Sequence, residues 1–184
     1  MSVRVLSAVV LVASLFGAGV ANAQQQPAAN PAPSPAPSPL DVVPEKMPFD
    51  TPYGAPIALD RAQAAIQAAV GEASKRGWSL NIAVVDSGGS LVAFARMDGA
   101  QIGSIAISEH KARASVKYRR PTRAFEDAIQ RGYVFITTLD DIIGSRGGIP
   151  LVEDGKLIGA IGCSGATGAQ DEVVCTTGAA TIDK

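Results

Sequence analysis

The chain of 184 residues contains one histidine, His110, and it sits inside the densest run of cations. Glu109 and Lys111 flank it, and Arg113, Lys117, Arg119, Arg120 and Arg123 follow. A zinc site takes three or four ligands, and one histidine with two cysteines far away in sequence does not supply them. A cysteine–histidine nucleophile pair would need Cys163 as a free thiolate. Gly162-Cys163-Ser164-Gly165 lacks the spacing of a serine-hydrolase elbow. The residues therefore carry no catalytic machinery that can be named, and the chemistry left is binding. Arginine forks grip carboxylates bidentately, so the cluster either holds an acidic ligand or forms a solvated charged face.

Helical spacing refines this picture. At 3.6 residues per turn Glu109 falls within the apolar stripe of its own helix, and Arg113 lies one turn on, about 40° around the axis. Two opposite charges so placed are expected to pair, because unpaired burial is costly. His110 and Lys117 fall at one edge of the same stripe.

Gly162, Gly165 and Gly168 recur every third residue ahead of a helix start at Gln170-Asp171-Glu172. Such a loop can present amides to an anion, but its spacing is neither of the established phosphate fingerprints, and Asp171 and Glu172 would repel a phosphate. A tight turn that needs small residues is favoured. The two cysteines, Cys163 and Cys175, suggest a disulfide if the protein meets an oxidising compartment, with two free thiols as the alternative. The bridge would add roughly 3 kcal/mol by the chain-entropy model.

These residues need elements to position them. Leu59 to Arg76 reads as an amphipathic helix, with Asp60 as N-cap and Gly77 as stop. Leu80 to Asp86 is a strand apolar on both faces, which calls for cover on both sides. It turns through Ser87-Gly88-Gly89-Ser90 into a second strand, Leu91 to Met97. Ile102 to Tyr118 is a second helix, with an apolar stripe of Ile102, Ile105, Ala106, Ala112 and Val116. Thr122 to Arg131 is a third, Tyr133 to Thr138 a candidate strand, and Leu139 to Ser145 a helical turn. Asp154-Gly155 between two apolar runs predicts another hairpin, and the last helix starts near Gly168. Two hairpins imply an antiparallel sheet with helices packed on it, an α+β arrangement.

The N-terminus reads differently. Arg4, an apolar run of sixteen residues from Val5 to Val20 and then Ala21-Asn22-Ala23 predict a signal peptide over residues 1–23; the run is short of the roughly twenty apolar residues of a membrane span, with an uncleaved anchor as the alternative. Ten of the twelve prolines lie between Pro27 and Pro56, so residues 24–56 are expected to be a Pro/Ala-rich linker. Residues 57–184 are one domain. A periplasmic or secreted location follows from this reading. Sixteen basic against seventeen acidic residues, with Tyr118 the one aromatic inside the cation run, exclude a bulk electrostatic case for nucleic acid.

Several separated stretches, in order, resemble one family. They are Ala83-Val84-Val85-Asp86-Ser87-Gly88-Gly89, Arg96-Met97-Asp98-Gly99-Ala100, Lys111-Ala112-Arg113, Arg120-Pro121-Thr122, Phe125-Glu126, Gly147-Gly148-Ile149-Pro150 and Gly159-Ala160-Ile161-Gly162 with Gln170-Asp171-Glu172. The chain from Leu59 to Ala180 resembles the GlcG/HbpS-type haem-binding family, also found as the C-terminal domain of PduO-type proteins. That resemblance implies a profilin-like fold with an antiparallel five-stranded sheet, a homo-oligomer, and haem as ligand. It also implies a storage, scavenging or redox-sensing role, with a membrane sensor kinase or a pathway enzyme as partner. Weak peroxide-dependent haem degradation is a further activity open to such a protein. The expected ligand-binding residues are His110, Lys111, Arg113, Lys117 and Arg120. His110 contacts the iron, ahead of Met97, Tyr118, Tyr133 or a thiolate, and Arg113, Lys117 and Arg120 hold the propionates. The alternative ligand is a small organic acid of a glycolate- or diol-type oxidation pathway.

Overall fold

The computed structural model describes residues 43–182, so the expected signal peptide and most of the proline-rich linker lie outside the described residues. Four helices and four strands follow one another: α1 (Leu59–Lys75), β1 (Asn81–Asp86), β2 (Leu91–Arg96), α2 (Ser104–Lys117), α3 (Arg123–Gln130), β3 (Gly148–Glu153), β4 (Lys156–Ser164) and α4 (Gly168–Ala179). The sheet order is β2-β1-β4-β3, antiparallel throughout, so two hairpins meet along β1 and β4. The second hairpin turns at Asp154 and Gly155, both with positive φ (49° and 71°), the geometry that an Asp-Gly pair adopts most readily.

The sheet has four strands among the described residues, not the five expected. The candidate fifth, Tyr133 to Thr138, is instead a 3-10 helix over Val134–Thr138. Its β-branched residues favour a strand, but the hydroxyls of Thr137 and Thr138 donate back to the carbonyls of Val134 and Phe135, each at 2.7 Å. Side-chain bonds of this kind satisfy a turn locally and remove the need for a ladder. The expected helical turn over Leu139 to Ser145 is irregular, with a tight turn around Asp140 and Asp141.

β1 and β4 are buried along nearly their whole length, and helices cover both faces. The larger core lies between one face and α1 with α4, and includes Ala65, Ile66, Ala69, Ile82, Val84, Ile161 and Val174. The smaller core, Val85, Ala112, Val116, Leu157 and Ala160, lies under α2. The cover on both sides that the apolar Leu80–Asp86 run requires is thus present. In α1 the expected stripe is buried at Ala62, Ile66, Ala69 and Ala73. Its N-cap is Ala58, with no side-chain bond, and Asp60 sits within the first turn. The capping box occurs instead on α4, between Thr167 and Gln170.

The second helix departs furthest from its expected packing. Its buried residues are Ser104, Ser108, Lys111, Ala112, Ala114, Ser115 and Val116, so Ala112 and Val116 of the expected stripe are in place, while Ile102 just ahead of the helix is 77% exposed. The reason is the short distance between helix and sheet. A Cβ added at Gly162 would stand 2.1 Å from the Ser108 carbonyl oxygen, and one at Gly148 would stand 2.3 Å from that of Lys111. At the closest approach only small side chains such as Ser108 and Ala112 fit, and Ile102 and Ile107 turn outward.

Pairing also starts earlier than expected. The Leu157 amide donates to the Pro52 carbonyl (2.8 Å) and the Gly54 amide to that of Leu157 (2.7 Å). β4 is longer than β1, and this end of the expected linker satisfies the backbone groups that β1 does not reach.

Two glycines separate the effects of contact and chain entropy. Gly162→Ala drives a methyl into α2 backbone and is expected to cost about 3 kcal/mol or more. Gly71→Ala, in α1 with nothing within 4 Å of the added Cβ, is expected to add about 0.5–1 kcal/mol. Urea midpoints at constant slope check both, and equal effects of the two changes would refute the close approach of α2.

Candidate ligand-binding site on the second helix

α2 carries charge on two faces that do different jobs. Toward the sheet lies Lys111, 1% exposed. Its ammonium donates to the Asp171 carboxylate (Nζ to Oδ2, 2.8 Å) and to the Cys163 carbonyl (3.1 Å). Asp171, 2% exposed at the start of α4, also accepts the Ala166 amide at 3.1 Å. Burial pushes its carboxyl above the usual 3.8, while Lys111 and the amides of Gly165 and Ala166 pull it back. A buried pair like this costs desolvation and holds only because each charge has several partners. Gly147 permits it, since a Cβ there would meet both the Asp171 side chain (2.8 Å) and the Lys111 nitrogen (3.2 Å). The Cys163–Cys175 disulfide crosses the same region, joining β4 to α4 with Cα atoms 5.6 Å apart. The Gly162-to-Gly168 loop is therefore a tight turn around the Asp171 carboxylate rather than an anion cradle. Lys111, expected as a ligand contact, is spent inside the fold.

On the outer side of α2 stand His110, Arg113 and Lys117. Arg113 pairs with Glu109 at 3.4 Å, the i,i+4 pair the spacing predicts, with both side chains about one-third exposed. Lys117 lies two turns from His110, only about 20° around the axis, so the two share one line along the helix. Lys117 pairs with Asp141, from the turn after the 3-10 helix. That carboxyl is held below its usual 3.8, first by the bond from Lys117 and further by the charges of Lys117, His110 and Arg113. Nε2 of His110 is buried and has no hydrogen-bond partner among the described residues. A buried imidazole nitrogen left unpaired is uncommon and calls for an explanation.

Arg120 does not join this group. Its guanidinium stacks on Phe49 at 3.5 Å from the ring centre, its Nε donates to the Tyr118 carbonyl (2.9 Å), and burial with the neighbouring Arg119 lowers its pKa. Arg123 is paired with Glu172 (3.4 Å) and Asp127 (3.7 Å). Glu172 and Asp127 belong to a network that the sequence does not announce. In it Arg146 donates to Glu126 through its backbone amide and its Nε, each at 2.8 Å, and reaches Glu172 at 3.6 Å. These bonds tie α3 and α4 to the strand entry at Gly147 and hold the Glu126 carboxyl below 4.5. Met97 packs against the larger core, and the disulfide removes both thiols from any ligand role. No group of three or more metal-ligating side chains occurs among the described residues.

The structure thus assembles three of the five expected ligand residues, His110, Arg113 and Lys117, and adds Asp141. An imidazole nitrogen with no competing bond, with Lys117 about 20° and Arg113 about 60° around the helix from it, is the kind of donor set that a porphyrin iron and its carboxylate arms would use. Residues 57–180 match the family model described as "Haem degrading protein HbpS-like". The chain belongs to this HbpS-like family. It is 42% identical to the protein GlcG of Escherichia coli over 103 residues, 56% of this chain and 77% of that one. Among solved structures it is similar to a double mutant of Streptomyces reticuli HbpS (28% identity, TM-score 0.65, 80% of this chain and 99% of that one). It is also similar to a structure described as a PduOC:heme complex (27% identity, TM-score 0.64, 70% and 96%).

Two substitutions test the electrostatics. Lys111→Met strands Asp171 in the interior and is expected to cost about 3–5 kcal/mol, with part recovered when Asp171→Asn is added; a chemical-denaturation cycle measures both. Glu126 has a depressed pKa in the folded state, so its stabilisation is present above 4.5 and disappears as pH falls through the folded value. Arg146→Ala should therefore lose stability at neutral pH, with the gap to the parent closing in acid. A gap that stays constant in urea melts across that range would contradict the assignment.

Proposed function

We propose that this protein binds haem through the outer face of α2, with His110 as the iron contact and Lys117 and Arg113 receiving the carboxylates. The observation that carries the reading is the unpaired, buried Nε2 of His110 beside those two cations, in a chain of the HbpS-like family. Haem would supply the redox and peroxide chemistry; the protein's part is to bind, orient and shield. His110 contributes an imidazole nitrogen donor. Lys117 and Arg113 supply positive charge at the helix's last two turns, where it also suits the helix dipole. Storage, scavenging or sensing is the role that a binding face of this kind supports, with any weak peroxide-dependent activity residing in the bound haem.

The signal-like N-terminus supports export to the periplasm or beyond, and the buried Cys163–Cys175 bridge suits an oxidising compartment. Homo-oligomer formation is part of the same proposal, supported by the family resemblance and by outward-facing Ile102, Val134 and Phe135, which are 77%, 62% and 52% exposed. A second reading, a small organic acid without haem, is favoured by one fact alone: the Lys117 ammonium is already engaged by a carboxylate, that of Asp141.

Haemin titration of the protein lacking residues 1–23 tests the proposal. A saturable Soret shift is expected, weakened or altered in position for His110→Ala and weakened for Lys117→Ala. An unchanged spectrum for His110→Ala would reject the iron assignment, and no saturable shift in any form would reject haem.

A further inference from the structure

We infer that Lys117 with Arg113 is a carboxylate-binding site whose occupant in this structure is the chain's own Asp141, and that a ligand must displace this side chain to reach His110. This rests on the reading of α2 as the ligand face, and its test separates the two.

Four observations converge. Asp141 is paired with Lys117 and lies within the fields of His110 and Arg113, so one internal carboxylate already faces the cations a ligand would need. The Tyr118 hydroxyl donates to the Asp140 carbonyl (2.6 Å), a second fastening of the same turn to the end of α2. Asp141 holds φ at 60°, a left-handed turn conformation that aspartate enters more readily than most non-glycine residues, so the turn aims its carboxylate at the end of α2. The segment leading into the turn packs poorly: the Val134–Thr138 helix has no buried residue, and Leu139 is 47% exposed. The turn is thus fixed by polar contacts at one end and by little apolar burial, which makes it one of the cheaper parts of the molecule to move. Two turns back along the same line of α2 from Lys117 stands His110, whose buried Nε2 has no partner among the described residues. Displacing Asp141 frees Lys117 for a ligand carboxylate and opens the way to that nitrogen, so one movement prepares both contacts. A lysine paired with an aspartate exchanges one carboxylate for another, and no charge is left stranded at either stage.

Because the chain has a single histidine, its acylation by diethylpyrocarbonate, followed at the imidazole band, reports access to His110 without any haem. Asp141→Asn removes the internal carboxylate, and Tyr118→Phe loosens the turn without touching the ion pair. Each is expected to speed acylation about two- to fivefold, the range set by a partly exposed ion pair or one hydrogen bond. Asp141→Asn should also tighten haemin binding by a similar factor. Lys117→Ala should speed acylation yet weaken haemin. Unchanged acylation in both Asp141→Asn and Tyr118→Phe, with native far-ultraviolet spectra, overturns the inference whatever haemin does. Faster acylation with no haemin binding, but with glycolate accelerating acylation of the parent, keeps the carboxylate site and rejects haem as its ligand. Faster acylation with no response to either ligand overturns the site.

Discussion

The interior contact between Lys111 and Asp171 is the constraint around which the rest of this fold is arranged. Two charges out of water need each other and every nearby polar group. Lys111 takes the carboxylate and the Cys163 carbonyl, and Asp171 takes amides from the turn that leads into α4. Bringing the lysine this deep requires α2 to lie almost on the sheet. That in turn requires Gly148 and Gly162 beneath it and serines and alanines on its inner face. Gly147 at the strand entry and the Cys163–Cys175 bridge border the same spot. Helix, sheet, turn and disulfide thus meet around one ion pair.

This arrangement decides which face of α2 is left for a ligand. With the small residues and Lys111 turned inward, the helix presents His110, Arg113 and Lys117 outward, near the turn that carries Asp141. Of the isoleucines that periodicity would bury, Ile102 is exposed and Ile105 only half-buried, because the gap between helix and sheet is narrow. Structural and ligand-facing charges are therefore neighbours in sequence, Lys111 beside His110, yet about 100° apart around the helix axis.

Much of the architecture was legible in local patterns. The Asp154-Gly155 turn, the apolar Leu80–Asp86 run and the α1 stripe each encode their element through near-neighbour sterics and periodicity, which do not depend on distant partners. The Glu109–Arg113 pair was readable for the same reason, since i,i+4 neighbours meet on any helix. Where reading failed, long-range contacts intervened. Tyr133 to Thr138 has strand composition, but its threonine hydroxyls close a 3-10 turn. Lys111 reads as part of a basic surface, because nothing within a few residues announces a carboxylate sixty positions away.

The sequence by itself determined the class of molecule. It is an α+β domain of two hairpins and flanking helices, with stretches that resemble one family and a single histidine among cations, because turn chemistry, periodicity and residue inventory are local properties. Only the tertiary structure decided which of those cations are available. It placed Lys111 inside with Asp171, stacked Arg120 on Phe49 and set Asp141 against Lys117. Burial and charge pairing depend on what the fold brings together across the chain, and that information resides in distances rather than in residue order.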